Sequence, residues 1–123
     1  MIVLWVALAG GLGAVARLVL DGAVRQRVPG HPWGTVLVNL TGSLLLGLVA
    51  GLGAGAALSP SAQLVAGTGF LGGYTTFSAA SVETVRLVRD GRWSASLLHG
   101  LGMLVGSVAL AALGWGLGAL ATH

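Results

Sequence analysis

Four apolar runs set the plan of the chain, at residues 2–20, 35–58, 62–88 and 95–121. Each is near or above the roughly 20 residues that a bilayer core demands of a helix. Residues 21–34, the short Ser59-Pro60-Ser61 and residues 89–94 separate them. The pattern predicts an all-α membrane protein with four transmembrane helices, a single domain covering residues 1–123. The longest runs have to tilt, break or protrude. The third holds the stretch Gly69-Phe-Leu-Gly-Gly-Tyr-Thr-Thr-Phe77-Ser78 at its middle. Each glycine costs a helix about 1 kcal/mol relative to alanine, and the hydroxyls compete with the helical ladder for backbone partners. Backbone freed at membrane depth has to be buried in protein or line a watery path. The third helix is therefore expected to break near the midplane, the arrangement used for ion sites in transport proteins.

The other runs carry stripes. In the second, Thr35, Asn39, Ser43, Gly47, Gly51 and Gly55 recur every four residues, polar at one end and small at the other. Such a face either glues helices together or lines a narrow file of hydrogen-bond donors. The first run has Gly10, Gly13 and Arg17 on one face. Arg17 either snorkels to the interface or guards an anion-attracting vestibule. In the fourth, Gly102-x₃-Gly106 reads as a packing motif, and His99, Met103 and Ser107 share a face.

Composition narrows the class. Only 7% of the 123 residues are charged and 55% are apolar, with mean hydropathy +0.93, unlike a soluble domain. No cysteine is present, so a disulfide framework and thiolate metal ligation are excluded. No cleavable signal peptide is expected. The pI near 11.3 comes from six arginines without a lysine, which membrane orientation explains better than nucleic acid does. Arg17, Arg25, Arg27, Arg86, Arg89 and Arg92 all lie in or beside the first and third loops. Those loops are expected in the cytoplasm and both termini outside. Trp33 and Trp93 mark one interface, Trp5 and Trp115 the other.

Catalytic patterns fail. Gly67-x-Gly69-x-x-Gly72 matches a dinucleotide fingerprint by letters only, because it lies inside an apolar run. A serine nucleophile has only His99 as an intramembrane base, with no carboxylate in its segment to orient it. Glu83 and Arg86, three apart, are expected to pair on a helix surface. An enzyme is not expected.

Gly10-Gly-Leu-Gly-Ala-Val-Ala-Arg17, Gly34-Thr-Val-Leu-Val-Asn39-Leu-Thr-Gly42 and Gly69-Phe-Leu-Gly-Gly-Tyr-Thr-Thr-Phe77-Ser78 with Glu83 together resemble the Fluc (CrcB) family of fluoride channels. The likeness covers three of the four runs. It implies an antiparallel (inverted) dimer of four-helix subunits in a bacterial cell membrane, exporting fluoride and so relieving its toxicity. It also implies a structural Na⁺ on the dimer axis, bound by backbone carbonyls of Gly72 and Thr75. Asn39 and Phe77 match the family's pore asparagine and first pore phenylalanine. Thr76, Ser78, Ser107 and His99 are candidates for the same anion path, and Arg17 and Glu83 for its vestibule. Fluoride is compact and tightly hydrated; amide and hydroxyl donors and positive aromatic edges suit it.

The chain departs from the family where Phe-Ser-Thr-Phe becomes Phe77-Ser78-Ala79-Ala80, and where Met103 stands in the polar file. A non-conducting scaffold or inactive partner subunit is the alternative. Small multidrug exporters are a third class, but they need a carboxylate in the first run, which this chain lacks. The one-sided arginines favour one orientation. The inverted partner is therefore expected to be a different family member.

Overall fold

A computed structural model describes all 123 residues, Met1 to His123, and its regular elements are all helices. Helix α1 spans Ile2–Arg27, α2 Trp33–Ala54, α3 Pro60–Gln63, α4 Gly72–Tyr74, α5 Phe77–Arg89 and α6 Trp93–Leu120; Leu64–Leu71 between α3 and α4 is π-helical. Helices α1, α2 and α6 are each long and apolar enough to cross a membrane. The remaining crossing is composite, running from α3 through the π-helical stretch and α4 to α5.

Local chemistry explains the ends. The apolar run suggested that the first helix stops at Leu20, but α1 continues to Arg27. Asp21 Oδ2 accepts a hydrogen bond from Arg25 Nε at 3.0 Å across one turn, and Arg25 and Arg27 sit where a helix C-terminus favours cations. Helix α2 stops at Ala54, short of the expected Leu58, and Ala56 turns the chain at φ 60°. Ser59 then caps α3, its Oγ accepting from the Ala62 amide at 3.2 Å, with Pro60 in the first turn.

The break falls between α4 and α5. Thr75 and Thr76 are extended, at φ −84°, ψ 158° and φ −147°, ψ 119°. Thr76 also caps the new helix, its Oγ1 accepting from the Ala79 amide at 3.2 Å. The hydroxyls after Gly72-Gly73 thus take over backbone groups that an unbroken helix would pair.

Glycines let the helices close. A Cβ on Gly47 or Gly51 would collide with the carbonyls of Ala111 or Trp115, and one on Gly114 with that of Leu44. The small half of the α2 stripe is thus the seam with α6. Likewise, a Cβ on Gly13 would strike the Phe70 carbonyl, and one on Gly73 the Gly10 carbonyl. That seam joins α1 to the composite crossing. The expected Gly102-x₃-Gly106 contact is only half present. Gly106 sits 2.9 Å from Leu40 Cδ2 by its virtual Cβ, whereas Gly102 faces open space, and Gly114 and Gly118 make the backbone approach instead. Val38, Leu71 and Tyr74 form the small buried centre, flanked by Ala16, Leu20, Val49 and Phe70. Most other large apolar side chains point outward, as lipid contact requires.

Candidate functional site

Asn39, in the N-terminal third of α2, faces the break. Its Nδ2 donates to the Thr76 carbonyl at 2.9 Å and its Oδ1 accepts from the Thr76 amide at 2.8 Å. One side-chain amide thus satisfies both polar groups of an extended residue, much as a neighbouring strand would. The Nδ2 also donates to Met103 Sδ at 3.1 Å.

The capture has a consequence for the carbonyls before the break. In a continuous helix the Thr76 amide would serve the Gly72 carbonyl, and the Ala79 amide the Thr75 carbonyl. Here the first goes to Asn39 Oδ1 and the second to Thr76 Oγ1. Gly72 and Thr75 each lose their regular helical donor. Gly72 is exposed, and its virtual Cβ lies 3.8 Å from the nearest carbonyl, of Gly67. This donor chemistry fits a cation held by backbone oxygen.

Asn39, Thr76, Phe77 and Ser107 meet at one cavity of about 400 Å³, joined by Ser43, Thr75, Ala80 and Met103. Its polar atoms are an amide and hydroxyls, with no charged side chain on the wall. Phe77 is 87% exposed, its ring free of the subunit's own core. Ser78 is exposed beside the cavity, its Oγ 3.3 Å from Thr76 Oγ1.

His99 belongs elsewhere. It is buried with Glu83, its Nε2 lying 3.1 Å from Glu83 Oε2, while its Nδ1 lies 3.2 Å from His31 Nε2. Glu83 Oε1 accepts from Thr35 Oγ1 at 2.8 Å and from Arg25 Nη2 at 3.5 Å. The expected Glu83–Arg86 pair is therefore replaced. Glu83 turns into the bundle, towards three elements, where a carboxylate has to find donors. Arg86 instead lines a loop-side cavity of about 370 Å³ with Arg25, His31, Glu83, Asp90 and Arg92. Arg17 has a buried Nε without a hydrogen-bond partner in the chain. Sequence reasoning missed His31 and Arg25 in this cluster. Their loop positions give no periodic signal, and only folding brings them to Glu83.

A helix broken beside an uncharged polar cavity, in a chain with three helices long and apolar enough to cross a membrane, matches the discontinuous helices of membrane transport proteins. The comparisons agree on the family. The family model described as CrcB-like protein, Camphor Resistance (CrcB), matches residues 4–115, so the chain belongs to the CrcB family. It is 54% identical to a fluoride-specific ion channel FluC 1 of Leifsonia xyli subsp. xyli, over 98% of this chain and 89% of the relative. Identity is 47% with a fluoride-specific ion channel FluC 2 of Cutibacterium acnes, over 96% and 98%. It is 43% with a fluoride-specific ion channel FluC of Thermus thermophilus, over 94% and 93%.

Proposed function

We propose that the chain is a subunit of a fluoride-selective channel, with the anion passing along the cavity beside the break. The observation that carries this reading is the Asn39–Thr76 lock. It holds the helix open beside a cavity without a charged wall, which Thr76 and, from α6, Ser107 also line. Hydroxyl protons replace the water of a compact anion, and the exposed Phe77 offers its ring edge to the same space. Ser78 adds a donor at the rim, and Arg17 and Glu83 belong to the approaches rather than the file.

The working assembly is an antiparallel dimer in a bacterial cell membrane. Exposed Gly72 and Phe77 suit a face that a second copy or a relative covers, and the released carbonyls of Gly72 and Thr75 suit a shared Na⁺. A bound sodium ion would supply charge to two oxygens without helical donors. The arginine-rich loops face the cytoplasm and both termini lie outside. That bias makes a differently oriented family member the expected mate.

A second reading, an inactive partner subunit, draws on one observation. Met103 and Ala80 line the cavity, and Met103 Sδ engages the Asn39 amide that an anion needs. Fluoride efflux from liposomes separates the two. Efflux that excludes chloride, from this chain alone or with an inverted relative that does not conduct by itself, supports the channel. No efflux through cavities lined by this chain, in an assembly whose partner conducts, supports the inactive subunit.

A further inference from the structure

The anion file leaves one polar pair unused, at the loop-side end of the bundle. His31 Nε2 lies 3.2 Å from His99 Nδ1. The ring centroids are 5.0 Å apart, with the planes at 78°. Two imidazoles joined end to end through a hydrogen bond of that length would put their centres about 5.5 Å apart. These rings instead meet at an angle, as two ligands of one ion do. Nitrogens bound at about 2.05 Å to a tetrahedral zinc stand about 3.3 Å from each other.

The surroundings prepare both nitrogens. The His99 side chain is fully buried, and its Nε2 faces Glu83 Oε2 at 3.1 Å. The carboxylate accepts there, so the His99 proton sits on Nε2 and Nδ1 presents a bare lone pair. Thr35 Oγ1 donates to Glu83 Oε1 at 2.8 Å and fixes the carboxylate in turn. A carboxylate behind the ring is the common outer support of a metal-binding histidine. His31 lies against Trp33, with ring centroids 4.5 Å apart. Burial, then His99 and Arg92, lower its pKa against an opposing pull from Glu83. A lowered pKa keeps the ring neutral, as ligation requires.

We propose that His31 and His99 form a binding site for a divalent transition-metal ion, Zn²⁺ in particular, at the loop-side mouth. In the metal-free chain His31 donates its Nε2 proton to His99 Nδ1. Binding replaces that hydrogen bond: the His31 proton moves to Nδ1, the two facing nitrogens bind the ion, and no proton is lost overall. His31 borders the loop-side cavity, and with His99 and Trp33 it also lines a second pocket of about 390 Å³. An ion thus has an approach and room for water. No group of three His, Asp or Glu side chains converges on one point, so water completes the shell and the ion exchanges. Arg25, Arg86 and Arg92 outnumber Glu83 and Asp90 around the cavity. The field there does not favour cations in general, and imidazole affinity therefore selects zinc over a hard ion such as Mg²⁺.

Calorimetry of the full chain in nanodiscs, at pH about 7.5, compares Zn²⁺ binding by the native chain, His31→Gln and His123→Gln, with Mg²⁺ as the hard-cation control. The native chain should bind one zinc ion with a Kd of about 10 μM. His31→Gln should weaken binding at least about tenfold, and thermal unfolding checks that this loop variant stays folded. His123→Gln, at the far end of the chain, should bind as the native chain does. Ring-¹⁵N spectra add a signature that a merely structural pair would not give. Zinc should shift His31 Nε2 and His99 Nδ1 and move the His31 proton to Nδ1, while His99 Nε2 keeps its own. Zinc affinity that survives His31→Gln overturns the proposal, as does Mg²⁺ binding of equal strength. So does a His31–His99 hydrogen bond that persists at saturating zinc, or no zinc uptake at about 1 mM. None of these readouts passes through fluoride flux, so they stand or fall apart from the channel reading.

Discussion

Asn39 grips Thr76 at both ends of its backbone, donating to the carbonyl at 2.9 Å and accepting from the amide at 2.8 Å. The two residues lie 37 positions apart, and their contact fastens α2 to the discontinuity. Asn39→Asp keeps the acceptor but removes the donors to the Thr76 carbonyl and Met103. The expected cost is about 1–3 kcal/mol for a backbone group left without its partner, together with loss of fluoride efflux. Thermal unfolding in detergent and liposome efflux check the two parts. Undiminished efflux in a folded Asp variant would remove Asn39 from the path.

Phe77 separates conduction from folding. At 87% exposure it contributes little to the subunit's own core. Phe77→Ile is expected to leave the subunit's unfolding temperature nearly unchanged while lowering fluoride efflux, since it removes the positive ring edge. Equal efflux through the variant contradicts the role given to the ring.

Met103 holds the Asn39 amide with a thioether, a weak acceptor. Met103→Ser adds a hydroxyl to the cavity and frees the Asn39 amide from the thioether. Efflux is expected to rise by about tenfold, equivalent to about 1.4 kcal/mol off the barrier. A Ser variant that folds but conducts no better locates the limiting step elsewhere.

The glycine seams make a contrast. Gly51→Leu drives a side chain into the Trp115 carbonyl across the α2–α6 seam. A loss of about 1–3 kcal/mol or more is expected from overpacking. Gly102→Ala meets nothing within 4 Å and should be neutral or stabilising by up to about 1 kcal/mol through helix propensity. Unfolding temperatures of the two variants measure the difference.

Gly72 probes the assembly. Its virtual Cβ meets nothing closer than the Gly67 carbonyl at 3.8 Å within the subunit. Gly72→Leu is expected to spare the helical content but to weaken dimer formation, read by cross-linking or light scattering in detergent. On the proposed dimer with a shared Na⁺, replacing sodium with a bulky organic cation should lower the native protein's unfolding temperature and leave that of the variant unmoved. A variant as dimeric and as sodium-sensitive as the native chain removes Gly72 from the interface.

Much of this arrangement is legible in the sequence because the bilayer allows few solutions. Apolar length dictates helices, and every freed backbone group at depth needs a partner. Gly72-Gly73 followed by Thr75 and Thr76 therefore announces a discontinuity, and the period-four stripe of α2 announces a contact face. The partners were another matter. That Asn39 meets Thr76, that Gly102 faces open space while Gly114 makes the seam, and that Glu83 takes Arg25, Thr35 and His99 in place of Arg86 depend on how the helices cross and turn. Periodicity assigns a residue to a face of its own helix; only tertiary packing decides what stands opposite, because a small rotation of one helix exchanges every partner across the seam.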